Sequence, residues 1–424
     1  MFSWCVSLAR RLKSRATVTA PRIVVRGATM ALTRRTTFRK AFLADWAPEV
    51  EGVWLYALAD AAREHRVAVH HAVRVVTHHH LTVTLTEPNL GAFLRRFHRE
   101  LSCGLNVLLA AYGFDAPKSV FDARPTHAMR LLNWEAEAEH LIYERLNPVA
   151  AGLVDTAREM PGLGLGLERW GRGALVVKRP DVYFGTDRPQ ELRLELTPPP
   201  ALLRAGDGDV VRLRKALLKE ADRGEAQLRR ERVRPALGPY ALRSIHPWQE
   251  PKTLAEPGGG RVPRFKVGGR GPEAQALRLR ASVEWKRWKG GYWGSLDHWP
   301  ENRATPFPYG TYEMRRLHRV NVADPAPDAL LAAPGNVEGI EPAGRDALRD
   351  AAQTGADDTL EAMQTAQKLA ADDVARGEPE VRHRFTKRAP DPDAPRLVVH
   401  RDRRRDRPSP WAPRAPDDPP TPPR

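Results

Sequence analysis

Cysteine is nearly absent from this 424-residue chain: Cys5 and Cys103 are the only two. That excludes a disulfide scaffold and a cysteine-rich zinc site, and it fits a reducing, cytoplasmic setting. Long apolar runs are missing as well. No stretch approaches the roughly 18 to 20 residues of a helical membrane span, so no membrane partner is expected. Negative charge is in short supply, with 52 Asp+Glu against 68 Lys+Arg and a formal net charge of +16. Such a balance attracts polyanions, nucleic acid before an anionic membrane surface. The arginine-rich composition favours phosphate contact, although high genomic G+C content gives the same bias. Residues 1–29 contain no acid at all and resemble a transit peptide; the plainer expectation is that Met30 is the true start and the segment ahead of it is translated upstream sequence.

A chain of this length has room for two or three domains. From Met30 to about Val154, strand-like and helix-like signals alternate at short spacing. "ALTRRTTFRKAF" reads as an exposed strand, rich in Thr and Phe with alternating charge. "APEVEGVWLYALADAAREH" places Val50, Val53, Trp54, Ala57, Leu58 and Ala61 on one helical face. "RVAVHHAVRVVTHHHLTVTLTE" is two β-rich runs meeting near Thr77. A second helix follows in "PNLGAFLRRFHRELSCGLNVLLAAYG", burying Leu90, Phe93, Leu94, Phe97, Leu101 and Leu108 and turning Arg95, Arg96 and Arg99 outward. "THAMRLL" is short enough for a strand, and "NWEAEAEHLIYERLNP" is a third helix stopped near Pro148. The order strand, helix, hairpin, helix, strand, helix implies an α+β architecture: a ferredoxin-like or RRM-like antiparallel sheet with helices on one face.

Past Val154 the pattern loosens into a basic, largely helical extension. "LRLEL" is a possible strand, while "DVVRLRKALLKEADRGEAQLRRERVR" and "PEAQALRLRASVEWKRWKGG" read as basic helices. In the second of these, Trp285 and Trp288 stand beside Lys286, Arg287 and Lys289, an interleaving that serves base stacking and phosphate contact. The simpler reading makes Trp285 and Trp288 the apolar stripe of a helix after Leu277 and Ala281. Beyond about Pro325 the chain turns Ala, Asp and Pro rich, with one weak helix expected over 344–376 and a disordered basic tail around "HRDRRRDR". The expected organisation is a doubtful extension (1–29), a folded domain (30–155), a basic helical extension (156–322) and a low-complexity tail (323–424).

Within the first domain, His70, His71, His78, His79 and His80 fall close together. Side chains alternate along a strand, so His79, Leu81, Val83 and Leu85 point to the core, while His78, His80, Thr82 and Thr84 point the other way. His79 is then a core or rim histidine. Two residues along a strand separate the Cα atoms of His78 and His80 by roughly 6.5 to 7 Å, close enough for both imidazoles to meet one divalent ion. By itself an H-x-H pair is a weak signal, since a metal needs a third ligand and a histidine-rich surface strand looks identical. The third helix brings further candidates: Tyr143 and Asn147, at i and i+4 in "HLIYERLNPVAAGLV", share a face. Pro148 is expected to push Asn147 out of ideal helical geometry. Each has an ordinary alternative, Tyr143 as a core-edge helix residue and Asn147 as a C-terminal cap.

"THHHLTVTL" followed about sixty residues later by "YERLNPVAAGLV" resembles the single-tyrosine HUH, or insertion-sequence-200-like, transposases, in particular the REP-associated branch. That branch carries an N-H-x-H-hydrophobic strand and a Y-x-x-x-N-P-V-x-A-G-L helix. The likeness covers about Leu32 to Val154, with a weaker echo at "FPYGTYEMRRLHRV", 307–320. Departures are Thr77 where the family usually has Asn, His79 at an apolar position, Glu144 where Ile or Val is usual, and Ala150 where a basic residue is frequent.

The resemblance implies His78 and His80 as a metal pair, Asn147 as a third, amide-oxygen ligand, and Tyr143 as the nucleophile. A phenol ordinarily ionises near pH 10, so the site has to assist the phosphate and leaving group more than the attacker. A Mg²⁺ or Mn²⁺ ion suits the mixed ligand set and neutralises charge on the scissile phosphodiester. The implied activity is cleavage and rejoining of single-stranded or hairpin DNA through a 5′-phosphotyrosine, in DNA transposition, by a cytoplasmic, nucleoid-associated monomer or homodimer. Arg95, Arg96, Arg99, Lys286 and Arg287 are candidate phosphate contacts, though a row of charges is more often a solvated helix face. A different class is a catalytically inactive, domesticated transposase that only binds DNA; a third is a structural-metal or metal-buffering protein built on the histidines.

Overall fold

The computed structural model describes residues 22–162, 165–249 and 263–331. The helix expected over 344–376 and the basic tail lie outside the described residues. The first domain contains β1 (Thr29–Arg35), α1 (Glu49–Glu64), β2 (Val67–Arg74), β3 (His78–Leu85), α2 (Leu90–Ala111), β4 (His127–Leu131) and α3 (Trp134–Ala150). Strand order is β2-β3-β1-β4, every neighbouring pair antiparallel, which is the expected ferredoxin-like arrangement within an α+β fold. A two-residue strand, β7 (Phe265–Lys266), adds to β4 in parallel, making a five-stranded mixed sheet.

Two expectations about the sheet need correction. β1 lies between β3 and β4 rather than exposed, with Met30, Ala31 and Leu32 buried; its arginines gather only at the end of the strand. The helices, moreover, occupy both faces. The apolar stripes of α1 (Val53, Trp54, Ala57) and α2 (Phe93, Phe97, Leu101) pack with Leu81, Val83 and Leu85 on one face. On the other, α3 lies over Thr82, whose hydroxyl donates to Glu144. Its polar contact surface explains the departure: α3 meets the sheet through histidine, threonine and glutamate, a pattern that hydrophobic periodicity does not reveal.

α3 begins at Asn133, whose Oδ1 accepts from Ala136 N–H (3.2 Å) and from Gly268 N–H (2.9 Å). Gly268 approaches so closely that an added Cβ would stand 2.4 Å from the Ala136 nitrogen, leaving no alternative residue there. The helix does not stop before Pro148; it runs to Ala150, and Ala151 N–H donates to Asn147 O (2.9 Å). Asn147 is therefore helical and is not the cap.

The second half of the chain supplies β5 (Leu175–Lys178), β6 (Glu191–Leu194), α4 (Pro200–Ala205), α5 (Val210–Glu231), α6 (Pro239–Arg243), α7 (Pro272–His298) and α8 (Tyr312–His318). α5 covers the outer side of α3: a Cβ on Gly224 would stand 2.7 Å from Leu146 Cδ1, and buried Arg145 reaches Glu168 and, at 3.6 Å, Glu225. Trp285, Trp288 and Tyr292 stack in sequence along α7, with Trp288 buried and its indole N–H donating to Tyr309 O (2.6 Å), as an apolar helix stripe would do. No helix among the described residues is long and apolar enough to cross a membrane.

The core extends ahead of Met30. Ile23 and Val25 are buried, Val24 N–H donates to Gly310 O (3.1 Å), and Gly27 N–H donates to Leu85 O (2.7 Å). A chain begun at Met30 is expected to lose roughly 3 kcal/mol or more of unfolding free energy, from two buried aliphatic side chains. Urea unfolding of the two forms measures this, and equal midpoints would contradict it.

Candidate active site

Strand alternation places the histidines as read from sequence. His78 and His80 lie on the α3 face with their ring centroids 4.8 Å apart and perpendicular. His79 turns the other way and packs against both Phe97 (5.1 Å) and His98 (5.2 Å), its Nε2 3.2 Å from that of His98. Burial, then the nearby imidazoles, hold His79 well below the usual histidine range, and burial followed by the Arg34 charge pushes His98 down to about 3. The middle histidine is thus a neutral core residue facing α2.

Tyr143 stands beside His80. Its ring is perpendicular to that of His80 at 6.0 Å and stacks on His140 at 5.6 Å. Along the middle of α3, Leu141 to Val149, every residue is buried except Tyr143 and Asn147, which are half-buried one turn apart. His80 Nδ1 shares a hydrogen bond of 3.0 Å with Thr33 Oγ1, while Nε2 is buried without a hydrogen-bond partner, as is Asn147 Oδ1. Burial, then the charge of His78, keeps His80 well below the usual range and so neutral, the form in which imidazole nitrogen donates a lone pair to a metal. Among the described residues no group of three or more His, Cys, Asp or Glu side chains is arranged to hold an ion.

Beneath Tyr143 lies a charge that sequence reading passed over as a departure. Glu144 is fully buried; its carboxylate accepts from Thr82 Oγ1 (2.9 Å) and contacts His71 Nδ1 (3.0 Å) and His140 Nε2 (3.2 Å). Burial alone would raise its pKa, but His140 and His71 outweigh that and hold it far below the usual carboxylate range. His71 reaches this face through a β-bulge between Val69 and His71, which also lets its neighbour His70 contact Thr84 Oγ1 (2.8 Å) on the same face. His140 is readable in hindsight from helical spacing, four residues before Glu144; the bulge left no such signal.

Around the rim, Thr33 of β1 pairs with both His80 and His127, and Arg35 pairs with His78. The other candidate contacts are elsewhere. Arg95, Arg96 and Arg99 belong to α2, across the sheet from α3; Arg95 pairs with Glu313 and Arg96 with Asp60 (2.8 Å). Lys286 and Arg287 lie on α7, where Arg287 contacts Asp328 (3.1 Å). The structure does not bring any of these to Tyr143.

No family profile matches the chain, and no curated protein matches it. Among solved structures, the chain is similar to a REP-associated tyrosine transposase bound to a REP hairpin, at 19% identity and a TM-score of 0.28, over 34% of this chain and 81% of that one.

The buried network makes two predictions. Replacing Glu144 by Leu strands two imidazoles and is expected to cost roughly 3 kcal/mol of unfolding free energy in urea titration; a cost below about 0.5 kcal/mol would contradict the role given to it. His70, pushed down to about 4 by burial, binds its proton later in the folded than in the unfolded protein, where the imidazole titrates near 6.5. Its stabilisation is complete above that value and falls as pH drops toward 4, by roughly 1.5 kcal/mol between pH 6.5 and 5. A metal-free unfolding midpoint that is constant over that window would contradict this assignment.

Proposed function

We propose that this chain is a metal-dependent tyrosine strand transferase of the REP-associated transposase type, acting on single-stranded or hairpin DNA. The observation that carries the reading is the joint position of Tyr143 and the histidine pair: a half-buried phenol set perpendicular to His80, with His78 beside it and Asn147 one turn along the same helix. The orphaned His80 Nε2 and Asn147 Oδ1 fit a hard or borderline divalent ion, Mg²⁺ or Mn²⁺, completed by His78. When bound, such an ion supplies positive charge at a non-bridging oxygen of the scissile phosphodiester.

The protein's own groups do the remainder. Contacts with His80 and His140 fix the Tyr143 ring, so the phenol oxygen is presented in one direction. Its attack forms a Tyr143–O–P bond as the bond from phosphorus to the 3′ oxygen breaks; the phenol proton departs and the 3′ oxygen leaves as a hydroxyl. The resulting 5′-phosphotyrosine retains a phosphodiester, so a different 3′-hydroxyl reverses the step and joins a new strand without ATP. The net charge of +16 suits a polyanionic substrate. The proposed setting is a monomer or homodimer in the cytoplasm, at the nucleoid.

The test is a covalent adduct. With labelled hairpin DNA and Mn²⁺, the protein is expected to give a denaturant-resistant protein–DNA species that disappears in chelator and in Tyr143→Phe. An adduct that persists in Tyr143→Phe would overturn the mechanism. Tight binding with no adduct would assign the chain instead to inactive transposase relatives that only hold DNA.

A further inference from the structure

Just past the row that holds His78, the chain leaves β1 in a conformation that side-chain-bearing residues rarely adopt. Thr36 is tied to the residue preceding His78: its N–H donates to Thr77 O (2.9 Å) and its hydroxyl lies 3.0 Å from the same oxygen and 2.6 Å from Lys40 O. From that anchor the turn Thr37–Arg39 puts Phe38 at φ 50° and Arg39 at φ 55°. Two successive left-handed residues, one of them aromatic, are each strained by an amount on the order of 1 to 3 kcal/mol, and such strain gathers at ligand clamps.

What the strain accomplishes is exposure. Phe38 is 79% exposed, whereas Phe42, four residues on, is completely buried. Its sequence neighbours include Arg35, Arg39 and Lys40. Positive charge continues around this end of the sheet: Arg22 donates to Thr126 O beside the start of β4, and its guanidinium is pushed down to about 10 by burial and then by repulsion from Arg264 and Arg34. An exposed aromatic ring whose sequence neighbours are cationic offers a π face to a base and positive charge to the phosphates on either side of it. The Phe38 Cα can lie no more than about 7 Å from that of Thr36, so one strand is long enough to serve both the ring and the His78 row.

We propose that Phe38 is a stacking platform for an unpaired base of the DNA strand presented to Tyr143, with Arg35 and Arg39 tracking the adjoining phosphates. This rests on the strand-transferase reading, and its test is separable from the adduct assay. Full-length protein is titrated into a labelled, unstructured mixed-sequence oligonucleotide and into the same backbone carrying abasic sites throughout, followed by fluorescence anisotropy. Phe38→Ala is expected to weaken binding of the intact strand about tenfold and to leave the abasic strand unchanged, while Phe38→Trp keeps wild-type affinity. Arg39→Gln is expected to weaken both strands and to flatten the salt dependence.

Unchanged affinity in Phe38→Ala, or an equal loss on both strands, would overturn the platform. So would a fall in sedimentation coefficient on Phe38→Ala in the absence of DNA, which would assign the ring to contact with a second copy. Phe38-dependent binding without a Tyr143-dependent adduct would sustain the platform and defeat the transferase reading; wild-type protein that binds neither strand would defeat both.

Discussion

One buried carboxylate sets the geometry on which the rest depends. Moving a charge such as that of Glu144 out of water costs several kcal/mol unless partners surround it, and here they come from three elements: His71 from β2, Thr82 from β3 and His140 from α3 itself. Because the partners span two strands and a helix, they fix how α3 is rotated on the sheet. Successive residues on a helix are turned by about 100°, so with Glu144 directed inward the preceding Tyr143 is carried toward the rim. Asn147, four residues after Tyr143, returns to the same rim. Glu144 is thus the pin under Tyr143.

From the outer side, α3 is held by a second layer. Arg145, one residue beyond Glu144, reaches Glu168 and Glu225, and Gly224 lets α5 close on Leu146. Adjacent residues of one helix therefore carry opposite charges toward different partners. The part of the chain expected to form a basic extension packs directly on the helix that carries the candidate nucleophile, and the segment ahead of Met30 adds to the same core through Ile23 and Val25.

Much of this was legible before the structure, and the illegible parts have physical reasons. The periodicity of Val53, Trp54 and Ala57, and of Phe93, Phe97 and Leu101, gave α1 and α2 because apolar stripes at helical spacing leave few alternatives. Alternation assigned His79 inward and His78 and His80 outward. The arginines of β1 suggest an exposed strand, although Arg34 and Arg35 both sit at its end. Proline usually ends a helix, whereas Pro148 sits two residues before the last residue of α3. The bulge at His71 and the close approach of Gly224 to Leu146 depend on tertiary contacts that no local pattern records. The left-handed turn at Phe38 escaped for the same reason: its anchor, Thr77, lies on another strand.

The central claim is that His78, His80 and Asn147 form one metal site beside Tyr143. Electron paramagnetic resonance of Mn²⁺ bound to the purified protein tests it directly, by reading affinity and the nitrogen couplings of imidazole ligands together. The account predicts one tight Mn²⁺ per chain with imidazole nitrogen coupling, lost in His80→Ala and bound about tenfold or more weakly in Asn147→Ala. Tight Mn²⁺ that ignores both substitutions, or wild-type protein with no nitrogen-coupled Mn²⁺, would contradict it.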